Sequence, residues 1–408
     1  MSKLQELIQR LCPDGVEYKK LGEICIFKRG DVLSSKDAVE GDVPVMAGGQ
    51  KPSCYHNVPN RKGETIVVAG SGAYAGFVTY WNIPVFVSDA FSVHPIDGLL
   101  PKYVFHYLKN NQAKIHATKK GAGVPHVHGK DIAKFLIPVP PLEVQEEIVR
   151  ILDRFDVYAA ELQAELQARK EQYEYYRNLL LTFNPAGCAG EADDEQEGSV
   201  TTWGEHSYPI QWKKMGDVGT FIRGNGLQKK DFTESGVGCI HYGQIYTYYG
   251  TFATETKSFV SEEFAKKLRK AQTGDLVIAT TSENVEDVGK AVVWLGKDEI
   301  AISGDAYVYK HNQNPRYIAY LLQTDRFLAF KRMNVSGTKV TRISGDSLAK
   351  YPIPIPPLEL QEKIVAILDR FETLVNDLSE GLPAEIAAVK EQYEYYRNRL
   401  LTFKEKTA

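Results

Sequence analysis

The sequence predicts an α+β protein in which two mixed α/β domains are separated by two long antiparallel coiled-coil helices, the whole forming a pseudo-twofold internal repeat. Three observations carry this. IPVPPLEVQEEIVRILDRF, Ile137 to Phe155, returns as IPIPPLELQEKIVAILDRF, Ile353 to Phe371. Each copy runs on to a second matched block, KEQYEYYRNLLLTF from Lys170 and KEQYEYYRNRLLTF from Lys390. The sequence ahead of each copy shares a sparse skeleton of strands and glycines. Segments this alike in one chain mean internal duplication.

Composition sets the bounds. At 408 residues, 43% hydrophobic and 25% charged, the chain has room for two or three domains with their own cores. No run approaches the roughly 18 apolar residues of a membrane span, and MSKLQELIQRL is charged where a signal's apolar core would lie. The five cysteines are scattered without a CxxC pair, which points to a reducing cytoplasm and away from structural zinc. The net charge of −3 hides a split: residues 12–137 carry a net +4 and 207–353 a net +5, against −12 in the connecting segments. A modest positive excess on the globular parts is compatible with nucleic acid.

In chain order, residues 1–11 read as a short amphipathic helix with Leu4, Leu7, Ile8 and Leu11 on one face. Residues 12–137 alternate short apolar runs with glycines, as in ETIVVAGSGAYAGFVTYW, which predicts a mixed domain of several short strands. Within it, Pro101 to Ile115 reads as a helix with proline in its first turn. Residues 138–183 form the first rod. After Pro138, Pro140 and Pro141 no further Gly or Pro interrupts the run from Leu142 to Phe183, so the prolines mark the helix start. Its seam is Ile148, Leu152, Phe155, Ala159, Leu162, Leu166, Arg169, Tyr173, Tyr176, Leu180 and Phe183, spaced by alternating fours and threes with one polar interruption at Arg169. Ala160 to Gln167 is AELQ written twice, a candidate four-residue length unit.

Residues 184–206 form an acidic linker, clearest from Asn184 to Ser199, without large apolar side chains. Residues 207–353 then repeat the first domain in outline. Phe27-Lys28-Arg29-Gly30 answers Phe221-Ile222-Arg223-Gly224, and Asp89-Ala90-Phe91 answers Asp305-Ala306-Tyr307. GAGVPHVHG from Gly121 answers GTKVTRISG from Gly337. Residues 354–408 form the second rod, whose seam runs Ile364, Leu368, Phe371, Val375, Leu378, then Tyr393, Tyr396 and Leu400. The offset between the copies grows by four residues, all within SEGLPAE around Gly381 and Pro383, which predicts a kink or short break there.

Catalytic motifs are missing. The nearest approach to a phosphate-binding GxxxxGK[ST] loop, Gly123 to Lys130, has one residue too many. Gly70, Gly72 and Gly76 read as strand-connecting glycines, and no adenine-methyltransferase motif is present. His126 and His128 share a strand face without a third ligand nearby, so no metal is assigned. Glu286, Asp287 and Lys290 read as surface charge. What remains are polar, aromatic and basic loop residues: Arg29, Gln50, Lys51, Tyr74, Lys119, Lys120 and His126 in the first domain. Arg223, Asn225, Gln244, Asn284, Lys331, Arg332, Lys339 and Arg342 are their counterparts in the second. Arginine and lysine suit guanine edges and phosphates, asparagine and glutamine suit adenine, and the recurrence of such residues in two duplicated domains points to DNA.

These features together resemble the DNA-specificity (S) subunits of Type I restriction-modification systems. The resemblance rests on the P-[VI]-P-P-L-E-x-Q-E-x-I-V-x-I-L-D-R-F blocks, Pro138 to Phe155 and Pro354 to Phe371, and on the G-x-x-V-x-[HR]-[VI]-x-G element before each rod. It implies that each globular domain is a target recognition domain reading one half of a split DNA site. It also implies that the helices set the half-site spacing and dock two methyltransferase (M) subunits, with restriction (R) subunits joining for cleavage. The chain itself then needs no cofactor. S-adenosylmethionine, ATP and magnesium are expected on the partners, M methylating adenine N6 and R cleaving unmodified DNA. The alternative is an adaptor for an orphan methyltransferase that has no restriction partner.

Overall fold

The computed structural model describes residues 3–406 except 35, 37, 97, 122, 184–198, 204, 338 and 378. Residues 184–198 of the acidic linker, with Cys188, and the seam position Leu378 therefore lie outside the described residues; the end of that stretch, Ser199–Trp203, is a strand paired antiparallel with His206–Lys214, so it belongs to the second domain. The chain divides into two compact units, Met1–Ala164 with Ala384–Ala408, and Glu165–Pro383. No helix of the described residues is long and apolar enough to cross a membrane.

Unit 1 opens with the helix Lys3–Leu11, whose Leu4 is buried. Glu17–Lys20 then pairs antiparallel with Leu136–Val139, Glu17 opposite Val139 and Lys20 opposite Leu136. This pairing of opening and closing strands returns the chain to the start of the rod. Between them a four-stranded antiparallel sheet takes the order Cys25–Arg29, Ala90–Pro95, Thr65–Ala69, Val78–Trp81. Thr65–Ala69 is buried at every position, as its unbroken apolar reading demands of a central strand. A smaller sheet orders Cys54–His56, Val43–Met46 and Phe86–Val87. The end of the chain closes the unit: Val16 N donates to Lys404 O at 2.9 Å, and Tyr18 OH to Phe403 O at 2.9 Å.

Unit 2 repeats the plan. His206–Lys214 pairs with Pro352–Ile355, and Gly219–Arg223, Ala306–His311, Leu276–Ala279, Ala291–Trp294 and Phe252–Ala253 form a five-stranded sheet in that order. The equivalent registers set Arg29 opposite Phe91 and Arg223 opposite Tyr307. Each main sheet is backed by a helix with proline at its start, Pro101–Asn110 and Pro315–Leu321.

The first rod is one unbroken helix, Leu142–Thr182. The second is broken, Leu358–Asn376 and Leu382–Leu400, at the four extra residues around Gly381. A Cβ at Gly381 would lie 2.4 Å from Thr373 O, so only glycine allows this close return of the backbone. In unit 1, Ile148, Leu152 and Leu162 are buried, and Phe155 sits 5.9 Å from the ring of Tyr393 and 5.7 Å from that of Tyr396. Tyr158 reaches Glu385, so the rod segments of this unit run antiparallel. In unit 2, Tyr173 and Tyr176 face Phe371 at 6.3 and 5.6 Å, and Ile364, Leu368 and Val375 are buried. Leu166 is half-buried against the same core.

The seam needs two corrections. Leu181 and Leu401 are buried where Leu180 and Leu400 are only partly so, and Tyr396 stays 42% exposed. The rod ends are embedded in domain cores, and a helix facing a core carries an apolar stripe wider than a two-position seam. Arg169 pairs with Glu165 and Gln172, while its matched residue Val389 is buried.

Each domain helix is fastened to its rod by a pair of carboxylates. In unit 1, Asp153 takes Lys102 at 2.5 Å and the buried His106 at 3.0 Å, while Asp156 takes Lys109 at 3.3 Å and Tyr393 OH at 3.2 Å. In unit 2, Asp369 takes Arg316, and Tyr320 OH is shared between Asp369 at 2.7 Å and Glu372 at 2.6 Å. His106, Asp153 and Asp156 are close enough together to suggest a metal site. Lysines and a tyrosine already serve the two carboxylates, and in the other unit Tyr320 takes the place of His106 against Asp369, so the group is a clamp.

Candidate nucleic-acid interface

In each unit one corner of the main sheet gathers loops from distant parts of the sequence. In unit 1 the strand Cys25–Arg29 ends there at Arg29, whose side chain is exposed. Gly30 follows because a Cβ would lie 2.1 Å from Ser88 O. The Arg29 carbonyl is held from inside by Arg61, only 5% exposed, which donates Nη2 to it at 2.7 Å and Nε to Ser92 Oγ at 2.8 Å.

The loop after Thr65–Ala69 meets the segment 120–127 at the same corner. Gly72 N donates to Pro125 O at 3.0 Å, and Val127 N to Gly70 O at 2.9 Å. Lys120 and His126 exchange backbone hydrogen bonds of 2.9 and 2.8 Å, closing a tip in which Gly121 takes φ +110°. Lys119 Nζ donates to Ala73 O at 3.1 Å, and Lys120 pairs with Asp131 at 2.8 Å. Tyr74 is 49% exposed in the same loop. The turn with Gln50 and Lys51, both exposed, starts against Ser71, since a Cβ on Gly48 would lie 2.6 Å from Ser71 O. The corner thus brings together Arg29, Tyr74, Lys119, Lys120 and His126, with Gln50 and Lys51 in the adjoining turn.

Three further residues, Asp89, His128 and Lys130, line the corner and are not marked as DNA contacts by the sequence alone. A cavity of about 300 Å³ lies between Arg29, Asp89, His126, His128 and Lys130. The His126 and His128 rings are parallel to within 7° with centroids 6.4 Å apart, as residues two apart on one face should be. Asp89 accepts from Ser71 Oγ. The signal was available in the GAGVPHVHGK run, whose alternate residues share a face.

Unit 2 builds the same corner from different side chains. Arg223 ends its strand, donates Nε to Gly304 O at 3.2 Å, and is followed by Gly224, where a Cβ would lie 2.1 Å from Ser303 O. Thr281–Ser282 pairs with Thr341–Arg342, and Ser336 and Arg342 close the tip with bonds of 2.9 and 2.8 Å around Gly337 at φ +96°. Lys339 and Arg342 are exposed on this tip. His126, His128 and Lys130 of the first corner thus answer Arg342, Ser344 and Asp346 of the second.

Other residues chosen from the sequence are placed elsewhere. Lys331, expected on phosphate, is 4% exposed and donates to Glu286 O and Val288 O, each at 2.8 Å; burial pushes its amine down to about 8. It lies four residues after the buried Phe327 on the helix Asp325–Asn334, on the inward face. Gln244 is buried, accepting from His241 N and donating to Ser258 Oγ at 2.7 Å, so it caps a helix. Asn284 binds Asp287 through both ends of its amide. Asn225 is exposed, yet both ends of its amide bind backbone. Arg332 is exposed beside Glu286 at 3.7 Å. Lys331→Met should leave two carbonyls unsatisfied and cost about 1–3 kcal/mol in urea unfolding, with no change in the salt dependence of DNA binding; a flatter dependence would put Lys331 on DNA after all.

The comparisons with known proteins agree with this duplicated architecture. The family model described as "Type I restriction modification DNA specificity domain" matches twice, over residues 13–171 and 209–388. A putative type I restriction enzyme specificity subunit of Haemophilus influenzae is 28% identical over 95% of this chain and 96% of its own length. The EcoR124I/EcoR124II specificity subunit of Escherichia coli is 29% identical over 74% of this chain and 71% of its own. Among solved structures, the type I S subunit of M. genitalium superposes with TM-score 0.55 at 17% identity, covering 95% of this chain and 96% of that one. A chain of another type I system superposes with TM-score 0.58 at 19% identity, covering 96% and 98%. With both matches falling on the two units and their rods, the chain belongs to the Type I restriction-modification DNA specificity family, as a specificity subunit with two copies of the domain.

Proposed function

We propose that residues 12–137 and 207–353 are two target recognition domains, each reading one half of a bipartite DNA site through its sheet corner. The rods dock two methyltransferase subunits and set the gap between the half-sites, and restriction subunits join that assembly. The chain supplies the address. Methyl transfer from S-adenosylmethionine to adenine N6, and ATP- and magnesium-dependent cleavage, belong to the partners.

One observation carries this reading: the same backbone corner occurs twice with different side chains on it. Gly30 and Gly224 make the same tight exit after an arginine, and Gly121 and Gly337 shape the same tip. The tip then presents His126 in one unit and Arg342 in the other. A fixed scaffold with exchanged reading residues is what two different half-sites require. Arginine can pair bidentately with guanine, and histidine offers a single ring contact.

The test is the methylated motif in cells that carry the chain and its methyltransferase partner. Arg342→Ala should cost about 1–3 kcal/mol of binding and relax one position in one half-site. Arg29→Ala should relax a position in the other half. Relaxation of both halves by a single substitution would overturn the assignment of one half to each domain.

A further inference from the structure

Beyond the tight glycine the two corners differ sharply. In unit 1 the next residue is the acid Asp31, which accepts from Asn60 Nδ2 at 2.8 Å. The neighbouring cation, Arg61, is turned inward onto Ser92 Oγ and the carbonyls of Asn60 and Arg29. In unit 2 the next residue is the neutral Asn225. Its Nδ2 donates to Lys267 O at 2.9 Å and its Oδ1 accepts from Arg269 N at 2.7 Å, which fastens the segment 266–269 beside the loop 225–231.

Underneath, Leu227 from the loop and Leu268 from the segment share a small core with Cys239, Val260, Ala265 and Ala301. The apolar side chains are thereby drawn inward, and Lys229, Lys230, Lys266, Lys267 and Arg269 are left exposed. None of the five forms an ion pair among the described residues. Asp231 accepts from Gln228 N at 2.9 Å and Glu299 takes Lys270, and among the described residues neither acid lies within ion-pair distance of any of the five. Glu262 and Glu263 occupy the first turn of the short helix Glu262–Ala265, where acids suit its positive end. Five like charges held on a braced loop pair repel one another, and the chemistry that relieves this is a polyanion.

We infer that this lobe of unit 2 is a clamp for the DNA sugar-phosphate backbone beside the bases read at the Arg223 corner. This rests on the reading that unit 2 binds DNA, and it adds a role for five residues outside the reading corner.

The test uses the full chain and a random-sequence 40-base-pair duplex, with the binding constant measured across salt concentrations. Neutralising Lys229, Lys230, Lys266 and Lys267 together to glutamine should flatten the slope of log K against log salt by about 3 to 4, at ~0.9 for each phosphate no longer neutralised. The same four positions changed to arginine should keep the wild-type slope, which separates charge from side-chain damage. Glutamine at four other exposed lysines of the unit, Lys214, Lys257, Lys297 and Lys350, should leave the slope within about one of wild type. If the clamp variant also stays within that margin, the clamp is wrong, and the sheet-corner reading stands provided the wild-type complex still methylates a bipartite motif. If the wild-type complex methylates no specific sequence, the sheet-corner reading falls, and the clamp falls with it.

Discussion

Inserting two residues after Gln167 should abolish site-specific methylation, whereas inserting a third AELQ there should preserve it and move the half-sites apart by one to two base pairs. Both results follow from the helix Leu142–Thr182, which runs through this position without a break. Unit 1 buries Ile148, Leu152 and Leu162 of that helix, and unit 2 buries Tyr173 and Leu181. Each added residue turns the downstream face by about 100°. Two residues turn it by about 200°, which throws Tyr173 and Leu181 out of phase with the upstream seam. Four residues turn it by about 400°, only some 40° from a full register, and the seam resumes. The four add about 6 Å of helix at 1.5 Å per residue. DNA rises about 3.4 Å per base pair. Gln167 is exposed and, among the described residues, bonds Glu171 on the same helix, so no buried side chain sits at the insertion point. The bases within each half-site should not change. An unchanged gap with efficient methylation would show that the rod is not the ruler.

The rods were legible because their signals are periodic and local. Proline marks their starts, an apolar stripe with a polar interruption at Arg169 carries the first, and Gly381 with Pro383 breaks the second where four residues are extra. The sheet corners were legible only through repetition. Arg29, Lys120 and His126 come together through strand order and tip geometry, which a single copy of the domain would not have revealed.

What stayed hidden was which polar residues work inward. Asn225, Gln244 and Asn284 satisfy backbone or neighbouring side-chain groups, and a sequence does not say whether an amide faces solvent or a helix end. Lys331 was partly readable, since its spacing from Phe327 sets it on the buried face of an amphipathic helix. The shift from Leu180 to Leu181 needed the domain core, which widens the buried face beyond a heptad seam. The cluster around Lys229 and Lys267 joins residues some 40 positions apart through one asparagine amide, a link no spacing rule anticipates.

The central claim is that each unit reads one half of a divided DNA site independently. Exchanging residues 12–137 for the equivalent segment of a family member with a different motif tests it most directly, because that segment contains the unit 1 corner and none of the unit 2 corner. The measurement is the methylated motif, sequenced genome-wide, in cells expressing the exchanged chain with its methyltransferase partner. The account predicts that one half of the motif is replaced while the other half and the gap are kept. Replacement of both halves, or retention of both with efficient methylation, would contradict it.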